Sequence, residues 1–593
     1  AGPATAGFVV SRFEKLRPSL SLVPHRLAIL RSFTVEPVVP LLRAAAFLAG
    51  IDLTVHVGDF NTYAQEILDA NSTLYQFGPD TVLLAVQTRD VARDLWAGFA
   101  ALELAAARAA GDRVAAGFET WLNAFRANSP ANLVIHTLEA PATVSHGLLD
   151  QQLADGQAEI IQDVNCSIRR AAGKLRGVYV LDYDALIARH GRLRWHDERK
   201  WLMMRMPLSA EGLSALAVEW LRVLHPLAGR VCKVLVTDLD NTLWGGVVGE
   251  DGPTGVRVGP EVTGAPYLAV QQVLLDLYHR GIILAVCSKN NEADALEVFK
   301  THPGMIVKAE HFVAKRINWH DKAQNLREIA AELNVGLDSL AFLDDNPAER
   351  ERVRGALPEV TVLDLPADSF GFATVVRECP LFERLVVSAE DRERGRHYAA
   401  QQQRTALREH AGSLEDYYRS LEQVVRVAPA SASSVARVAQ LTQKTNQFNL
   451  TTRRYGEAQI AERCADPEWD VHCVSVKDRF GDNGLVGVVM ARAAGNVYEV
   501  DTFLLSCRVI GRTVETATLS VVAGRARDRG FTEVRGWFLP SKKNAPCKDV
   551  YPNHGFRAVA ERDGGTLWAR DLTADGPRCP EWINLVREEP VYA

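Results

Sequence analysis

Apolar residues recur along the first part of this chain as short runs that end at polar turns, a pattern typical of buried strands. Amphipathic stretches of helical period lie between the runs, including Arg93–Ala110 and Leu148–Arg170. Because strands alternate with helices, we expect a parallel, doubly wound α/β sheet. The predicted strands are Arg26–Arg31, Asp52–Val57, Thr81–Val86, Leu133–Thr137 and Gly177–Leu181.

Three later apolar runs, each a predicted strand, end in carboxylate or hydroxyl side chains. The carboxyl ends of parallel strands meet at one edge of a sheet, so these side chains are expected to converge. Carboxylates without a partner are too costly to bury, which makes a divalent cation the expected partner. The polar ends are Asp238-Leu-Asp240-Asn241-Thr242, Ser288 and Asp344-Asp345.

A lysine at the start of a helical pattern completes this set. Lys322 lies between the second and third polar ends, where its ammonium group neutralises phosphoryl charge as a point charge. Lys308 and Lys315 are nearby alternatives. The four positions in this order predict a phosphoryl-binding site.

The last third of the chain has a different strand pattern. A helix, Thr513–Asp528, follows the loop Ser506-Cys507-Arg508-Val-Ile-Gly511-Arg512. Backbone N–H groups of such a loop and of the helix N-terminus can bind a phosphate. The predicted strands are Asp470–Val476, Leu485–Arg492, Val497–Leu505 and Glu533–Trp537.

Composition narrows the class of protein. The chain has 593 residues and a formal net charge of −6, which argues against a general nucleic-acid binder. No apolar run is long enough to suggest a membrane span. The nine cysteines show no CxxC pair, a usage that fits a reducing cytoplasm and free thiols.

The segment Asp238-x-Asp240-x-Thr242, with Ser288, Lys322 and Asp344, resembles the haloacid dehalogenase (HAD) superfamily. The resemblance implies a Rossmann-like catalytic domain over residues 228–388, with Asp238 as nucleophile and Asp240 as general acid/base. The interval before Ser288 is too short for a large cap domain. We therefore expect an open site, suited to a bulky or protein-tethered substrate.

The regions on either side also resemble known domains. Residues 1–225 are similar to an SGNH-hydrolase-like domain, with Ser32 after the first strand. Such a hydrolase needs Asp-x-x-His near its end, and His196-Asp197-Glu198 has the wrong order. We expect a docking or scaffold role for this domain, without hydrolysis.

A helical connector is predicted at residues 389–420, and residues 421–575 resemble GNAT acyltransferases. Thr513 stands where GNAT proteins have Gly or Ala, which argues against tight coenzyme A binding.

Four longer strings resemble the FkbH-like family, and the resemblance covers most of the chain from about residue 228. They are Val286-Cys-Ser-Lys-Asn290, Asp344-Asp-Asn-Pro-Ala-Glu-Arg350, Lys444-Thr-Asn-Gln-Phe-Asn-Leu450 and Ser506-Cys-Arg-Val-Ile-Gly-Arg512. The family implies transfer of a D-glyceryl group from 1,3-bisphosphoglycerate. The acceptor is the phosphopantetheine thiol of an acyl carrier protein, and the product supplies polyketide biosynthesis.

The resemblance also implies which residues form the sites. The Mg²⁺ ligands would be Asp238, Asp344, Asp345 and, through its backbone carbonyl, Asp240. The residues implied for substrate phosphate are Ser288, Lys322, Asn241 and Thr242. Those implied for phosphopantetheine are Arg508, Gly511, Arg512, Asn544 and Tyr551.

Two cysteines are candidates for an enzyme thioester. Cys287 adjoins Ser288, but strand alternation points it into the core. Cys507 precedes Arg508 and a helix N-terminus, both of which lower a thiol pKa, and is the preferred candidate. Direct transfer to the carrier thiol is a third possibility.

An acidic carrier protein would need a local basic surface on this chain. Arg453-Arg454 and Lys542-Lys543 with Lys548 are the candidates.

Three rival functions remain open from the sequence. The first is a Mg²⁺-dependent HAD phosphatase with a passenger GNAT-like domain. The second is a non-catalytic scaffold, which the full set of HAD residues argues against. The third is a GNAT acyltransferase that uses acetyl coenzyme A.

Overall fold

The computed structural model divides the chain into two compact units, residues 1–392 and 393–593. It describes residues 3–20, 22–333, 335–386, 403–404, 407–408, 410–445, 447–541, 544–562, 564–573 and 576–588. The predicted multidomain α/β class is confirmed, because each unit combines sheets with covering helices. Most of the connector predicted at 389–420 lies outside the described residues, although its end forms the helix Leu414–Ser420.

The first sheet of unit 1 has five parallel strands in the order β2-β1-β3-β4-β5. The strands are β1 Val23–Arg31, β2 Ile51–Val57, β3 Thr81–Ala85, β4 Asn132–His136 and β5 Val178–Leu181. All five predicted strands are therefore confirmed within three residues at either end. The helices are Pro3–Leu16, Val38–Leu48, Tyr63–Leu68, Thr73–Phe77, Thr88–Val91, Arg93–Trp96, Leu104–Asn128, Gln157–Gly173, Tyr183–His190, Arg192–Trp195, Glu198–Met204 and Ala210–Leu227.

Two predicted helices of this domain have different bounds in the structure. The Arg93 helix ends at Trp96, and a long helix begins only at Leu104, because Gly98 between them has a left-handed φ of 80°. The helix predicted from Leu148 starts at Gln157, after Gly156. Apolar periodicity extends across both breaks, so periodicity alone could not locate them.

The second sheet of unit 1 is also parallel, in the order β10-β9-β6-β7-β8. Its strands are β6 Val234–Thr237, β7 Ile283–Ser288, β8 Phe312–Ile317, β9 Leu340–Leu343 and β10 Thr361–Val362. Strands β6, β7 and β9 are buried along their whole length, which accounts for their continuous apolar sequence. The helices are Val248–Asp251, Ala265–His279, Glu292–Thr301, Lys322–Glu332, Pro347–Ala356 and Phe372–Glu378.

Unit 2 is built on one large, mostly antiparallel sheet in the order β17-β18-β16-β15-β14-β13-β11-β19, and β12 pairs with β15. Its strands are β11 Gln423–Pro429, β12 Phe448–Asn449, β13 Trp469–Asp478, β14 Gly481–Ala494, β15 Val497–Leu505, β16 Glu533–Phe538, β17 Arg557–Arg562, β18 Gly565–Asp571 and β19 Ile583–Arg587. Its helices are Leu414–Ser420, Val435–Lys444, Glu457–Ala465, Val514–Asp528 and Val550–Asn553.

The GNAT-like unit of strand, loop, helix and parallel strand is present as β15, the loop 506–513, the helix Val514–Asp528 and β16. The boundary predicted at residue 575 needs correction, because β19 pairs with β11 and extends the sheet to Arg587. Each helix within the described residues is too short or too polar to cross a lipid bilayer.

Candidate functional site

The predicted phosphoryl-site residues of unit 1 come together at the carboxyl ends of β6, β7 and β9. Strand β6 lies between β7 and β9, so Asp238, Ser288 and Asp344 lie at the carboxyl ends of three adjacent strands. Lys322 begins the helix Lys322–Glu332, whose N-cap, Asp321, accepts hydrogen bonds from two backbone N–H groups of the first turn. The sheet order and this cap bring four distant sequence segments to one place.

Three carboxylates and one ammonium group form the centre of the site. Lys322 Nζ lies 3.1 Å from Asp238 Oδ2 and 2.5 Å from Asp344 Oδ2, and all three side chains are buried. Carboxylate oxygens of Asp238, Asp344 and Asp345 lie within 4.8 Å of one another. A single lysine does not balance two buried carboxylates and a half-buried third, so the cluster favours a further positive charge.

The electrostatics of the cluster agree with this imbalance. Burial and the neighbouring charge of Asp238 raise the pKa of Asp344 to about 6, against the opposing effect of Lys322. Burial and Asp238 also raise the pKa of Asp345. Burial would lower the pKa of Lys322, but the charges of Asp238 and Asp344 outweigh it and raise that pKa. The lysine therefore stays protonated between the carboxylates.

The donor set fits a magnesium ion. Asp238 Oδ1 is buried and has no hydrogen-bond partner among the described residues, so it is free to bind a cation. Carboxylate oxygens are the ligands that Mg²⁺ prefers. Asp238, Asp344 and Asp345 would hold the ion. The prediction that the backbone carbonyl of Asp240 is a further ligand stays a prediction.

The side chain of Asp240 does not belong to this carboxylate group. Its Oδ1 accepts hydrogen bonds from Trp244 Nε1 at 2.8 Å and the Val248 N–H at 3.2 Å, and its Oδ2 accepts from Asn290 Nδ2 at 2.9 Å. Burial raises the pKa of Asp240 despite these donors. Its predicted role as general acid/base remains a prediction.

Three predicted phosphate-binding residues have different surroundings. Ser288 is the last residue of β7 and is 1% exposed. The Thr242 hydroxyl accepts the Asp345 N–H at 3.0 Å and lies 3.2 Å from Asp345 Oδ1. Asn241 has a left-handed φ of 52°, and its Oδ1 accepts the Gly246 N–H at 2.9 Å. Thr242 and Asn241 thus shape the loops around the site.

Two positioning residues were not assigned a role from the sequence. Asn290 orients Asp240 through the bond described above. Arg350 Nη1 donates to the backbone carbonyls of Asp344 and Asp345, each at 2.7 Å, and fixes the loop that carries both carboxylates. Both residues end strings that resemble the FkbH-like family, but a string of letters does not show which atom each side chain contacts.

Cys287 is an unfavourable nucleophile. Its side chain is fully buried on β7, and Sγ lies 3.9 Å from the backbone carbonyl of Lys322. Burial raises the pKa of this thiol to about 12, so the thiolate is scarce at neutral pH. The position agrees with the prediction from strand alternation that Cys287 faces the core.

The candidate loop of unit 2 begins directly after β15. The backbone of Cys507 starts a short 3₁₀ turn, Cys507–Val509, but its side chain lies outside the described residues. Gly511 and Thr513 both have left-handed φ angles, 73° and 61°. A threonine is strained at a left-handed φ, which explains why Gly suits the position that Thr513 occupies.

The two arginines of the loop are turned inward. Arg512 is 3% exposed, and its Nη2 donates to Asp478 Oδ2 at 2.6 Å while its Nε donates to Gln423 Oε1 at 3.0 Å. Arg404 donates to both oxygens of Asp478, at 2.8 and 3.0 Å. Arg508 is half-buried and donates to the Asn483 carbonyl at 3.3 Å. This geometry favours a structural role for Arg512 over the predicted phosphopantetheine contact.

The seam beyond the paired part of β15 and β16 is occupied by the chain itself. The pairing of the two strands ends at Val500 and Gly536. Beyond that point β12 pairs with the end of β15. The Leu450 N–H donates to the Phe503 carbonyl, and the Leu539 N–H donates to the Leu450 carbonyl. The backbone groups that an extended amide chain could pair with are therefore already bonded.

Asn544 and Tyr551 adjoin this seam. Asn544 Nδ2 donates to the carbonyls of Asn449 and Leu539, both at 2.9 Å, and the residue is fully buried. The Tyr551 hydroxyl is buried close to Gly536, where a Cβ atom would lie 1.9 Å from it. Asn544 therefore ties β12 into the sheet. Its predicted contact with phosphopantetheine, like that of Tyr551, stays a prediction.

Ser32 follows β1 as predicted. Its hydroxyl is buried, donates to Asp90 Oδ2 at 2.8 Å and accepts the Gln87 N–H at 3.0 Å. A carboxylate and a backbone amide thus hold the hydroxyl in place, and the expectation of a non-hydrolytic domain stays a prediction.

The predicted basic surfaces are only partly described. Arg453 forms an ion pair with Asp501, and Arg454 donates to the Thr442 carbonyl at 3.4 Å. Lys542 and Lys543 lie outside the described residues. A carrier-binding surface at either place remains a prediction.

A solved structure matches a large part of this chain. It is the N-terminal part of a protein from Bacteroides fragilis that contains a phosphatase domain, in complex with Mg. The match has 26% identity and a TM-score of 0.56, and it covers 62% of this chain and 96% of the other. That coverage exceeds the HAD-like domain alone, and it supports a phosphatase-type fold in this chain.

Acetyltransferase structures match a smaller part. The GNAT domain of S. lividans PAT has 17% identity and covers 24% of this chain and 89% of its own, with a TM-score of 0.21. The Escherichia coli ribosomal-protein-S18-alanine N-acetyltransferase has 10% identity and covers 26% and 96%, also at 0.21. These scores are too low to support a conclusion. No protein-family model and no curated protein sequence matches this chain.

Proposed function

We propose that this chain transfers a D-glyceryl group from 1,3-bisphosphoglycerate to the phosphopantetheine thiol of an acyl carrier protein. The observation that carries the proposal is the cluster of Asp238, Asp344, Asp345 and Lys322 at the strand ends, a site with the charges that an acyl phosphate and Mg²⁺ require. The choice of the glyceryl group and of the carrier protein rests on the resemblance of the four strings to the FkbH-like family. The Mg in the Bacteroides fragilis structure supports the choice of metal.

The residues of the site have separate tasks in this reaction. Asp238, Asp344 and Asp345 would hold Mg²⁺, which supplies positive charge that polarises the acyl phosphate. The Lys322 ammonium group, held between Asp238 and Asp344, meets the phosphate oxygens, and Ser288 donates its hydroxyl to them. Arg350 keeps the two neighbouring carboxylates in place.

The chemical step is an acyl substitution. A thiolate sulfur attacks the acyl carbon of 1,3-bisphosphoglycerate, a C–S bond forms, and the C–O bond to phosphate breaks. Phosphate leaves with the bonding electron pair, and the thiol proton passes to solvent. Because phosphate is a good leaving group, this reaction depends less on protonation of the leaving group by Asp240 than a phosphatase reaction does.

The enzyme thiol in this proposal is Cys507. The buried position of Cys287 and its raised pKa argue against the alternative. A glyceryl thioester on Cys507 would then pass its acyl group to the carrier thiol.

A Mg²⁺-dependent phosphatase is the second candidate. The phosphatase domain of the Bacteroides fragilis protein favours it, as does Asp240 two residues after Asp238. In that reaction Asp238 attacks phosphorus, Asp240 protonates the leaving oxygen, and water then releases phosphate from the phosphoaspartate.

The deciding experiment is intact-protein mass spectrometry after incubation with Mg²⁺ and 1,3-bisphosphoglycerate generated in place. Wild type, Cys507→Ala, Cys287→Ala and Asp238→Asn are compared. We expect a glyceryl adduct that Cys507→Ala and Asp238→Asn lose and Cys287→Ala keeps. Phosphate release without an acyl adduct, in the presence of carrier protein, would favour the phosphatase. Acyl transfer that requires the carrier and neither cysteine would establish direct transfer.

A further inference from the structure

The rim of the phosphoryl site carries an ion pair that the proposed chemistry does not use. Lys289 Nζ lies 2.6 Å from Glu349 Oε1, and the two side chains are 33% and 16% exposed. Lys289 stands between Ser288 and Asn290, on the loop after β7. Glu349 lies in the first turn of the helix Pro347–Ala356, directly after the acidic loop. The pair thus joins the two loops that form the site.

The carboxylate of this pair is only half satisfied. Glu349 Oε2 is buried and has no hydrogen-bond partner among the described residues. A lysine side chain has three donors and long, flexible methylene links, so it can exchange one anion for another. Lys289 is partly exposed, and its partner Glu349 is incompletely hydrogen-bonded. An anionic ligand can therefore bind the Lys289 ammonium group.

The proposed donor substrate brings two phosphates, and the cluster around Asp238 accounts for one. The distal phosphate needs a cation of its own, because an unpaired phosphate beside buried carboxylates would be repelled. Three other cations of the domain already have protein partners. Lys322 lies within the cluster, Arg350 donates to backbone carbonyls, and Lys315 Nζ donates to the Phe312 carbonyl at 2.8 Å.

We propose that Lys289 binds the distal phosphate of the substrate. On binding, its ammonium group exchanges the carboxylate of Glu349 for that phosphate. Lys289 is in this sense a specificity residue, which distinguishes a bisphosphorylated acyl donor from a simple acyl phosphate. The inference rests on the proposed function, since it takes 1,3-bisphosphoglycerate as the donor.

The two members of the pair have opposite expected effects. Removing the Lys289 charge weakens the site for a second phosphate. Removing the Glu349 charge frees Lys289 and relieves repulsion, so it strengthens the site for the same group. A purely structural ion pair predicts instead that both substitutions act in the same direction, because each breaks the link between the two loops.

The test compares two acyl phosphates that differ in the distal phosphate. Release of inorganic phosphate from 1,3-bisphosphoglycerate and from acetyl phosphate is measured with Mg²⁺ and a small thiol acceptor. The full chain is used as wild type, Lys289→Met and Glu349→Gln. Lys300→Met, an exposed lysine at the end of the helix Glu292–Thr301, is the matched control.

We expect Lys289→Met to raise KM for 1,3-bisphosphoglycerate about tenfold to a hundredfold, the range for a hydrogen bond to a charged group. Glu349→Gln should lower that KM. KM for acetyl phosphate should stay unchanged in both variants, and Lys300→Met should change neither substrate. Equal effects on both substrates, or shifts of the same sign in both variants, would overturn the inference.

Failure of the proposed function has a different signature. Turnover of acetyl phosphate without turnover of 1,3-bisphosphoglycerate would refute the donor and this inference with it. If neither acyl phosphate reacts, calorimetric binding of 3-phosphoglycerate decides, since it carries the distal phosphate and needs no turnover. Weaker binding to Lys289→Met than to wild type would support the inference, and equal binding would overturn it.

Discussion

Two places in this chain were predicted to bind phosphate, and the structure gives them opposite charge balances. Around Asp238, three carboxylates share one lysine, and one carboxylate oxygen has no hydrogen-bond partner among the described residues. Around Asp478 in unit 2, two arginines and a backbone N–H occupy one carboxylate. The first cluster is incomplete without a ligand. In the second, both carboxylate oxygens of Asp478 are hydrogen-bonded within the protein.

The difference shows why charged residues in a motif are not sufficient to define a site. A buried charge whose hydrogen bonds are filled contributes to stability or specificity of the fold. A buried charge left without a partner favours binding of a cation or an anion. Arg512 and Lys322 both follow family patterns, yet only Lys322 lies among groups that a ligand could still satisfy.

The largest expected effect is on the incomplete cluster. Asp238→Asn removes a carboxylate with one oxygen that contacts Lys322 and another that has no partner among the described residues. Phosphate release should therefore fall about a thousandfold or more, as for other essential groups. Release of phosphate from 1,3-bisphosphoglycerate is the measurement. Asp364→Asn, an exposed carboxylate of the same domain, should keep full activity. Equal activity of Asp238→Asn and wild type would contradict the assignment of the site.

A substitution in the cluster around Asp478 should change stability and leave turnover unaffected. Arg512→Met removes the bond to Asp478 but leaves Arg404 in place, so we expect a loss of about 2 to 3 kcal/mol in the free energy of unfolding. Urea unfolding of the full chain measures this loss. The rate of phosphate release at saturating substrate should not change. A loss of activity with unchanged stability would show that Arg512 binds substrate after all.

Magnesium should distinguish the two clusters by pH. In the folded protein the pKa of Asp344 is raised to about 6, above its ordinary value. Without metal, the unfolding free energy therefore falls as pH rises from that ordinary value to about 6. Metal binding requires the deprotonated carboxylate. The rise in Tm on addition of Mg²⁺ should therefore be larger at pH 7.5 than at pH 5. Asp238→Asn should reduce it, and Arg512→Met should not.

The smallest effect is expected at Cys287. Cys287→Ala removes a buried sulfur next to the lysine backbone, so it should cost about 1 kcal/mol of stability through the small cavity it leaves. Phosphate release and glyceryl transfer should both persist. Loss of transfer with retained phosphate release would identify Cys287 as the acyl-bearing thiol and exclude Cys507.

The sequence by itself determined the strands that carry the site and the order of their polar ends, because buried parallel strands must be continuously apolar and their last residues face one edge. Asp238, Ser288 and Asp344 were found in this way, Lys322 was found at the start of a helical pattern, and the core position of Cys287 follows from strand alternation. The helix breaks near Gly98 and Gly156 were missed, since apolar periodicity runs through a left-handed or flexible residue without a change.

Only the tertiary structure decided which charges are satisfied. Asp478 and Arg404 are distant from Arg512 in sequence, and no local pattern predicts that they share one buried ion pair. Likewise β12 closes the seam beside β15 through backbone hydrogen bonds, which any sequence can form. Charge balance and backbone pairing depend on contacts between remote segments, and these exist only once the chain is folded.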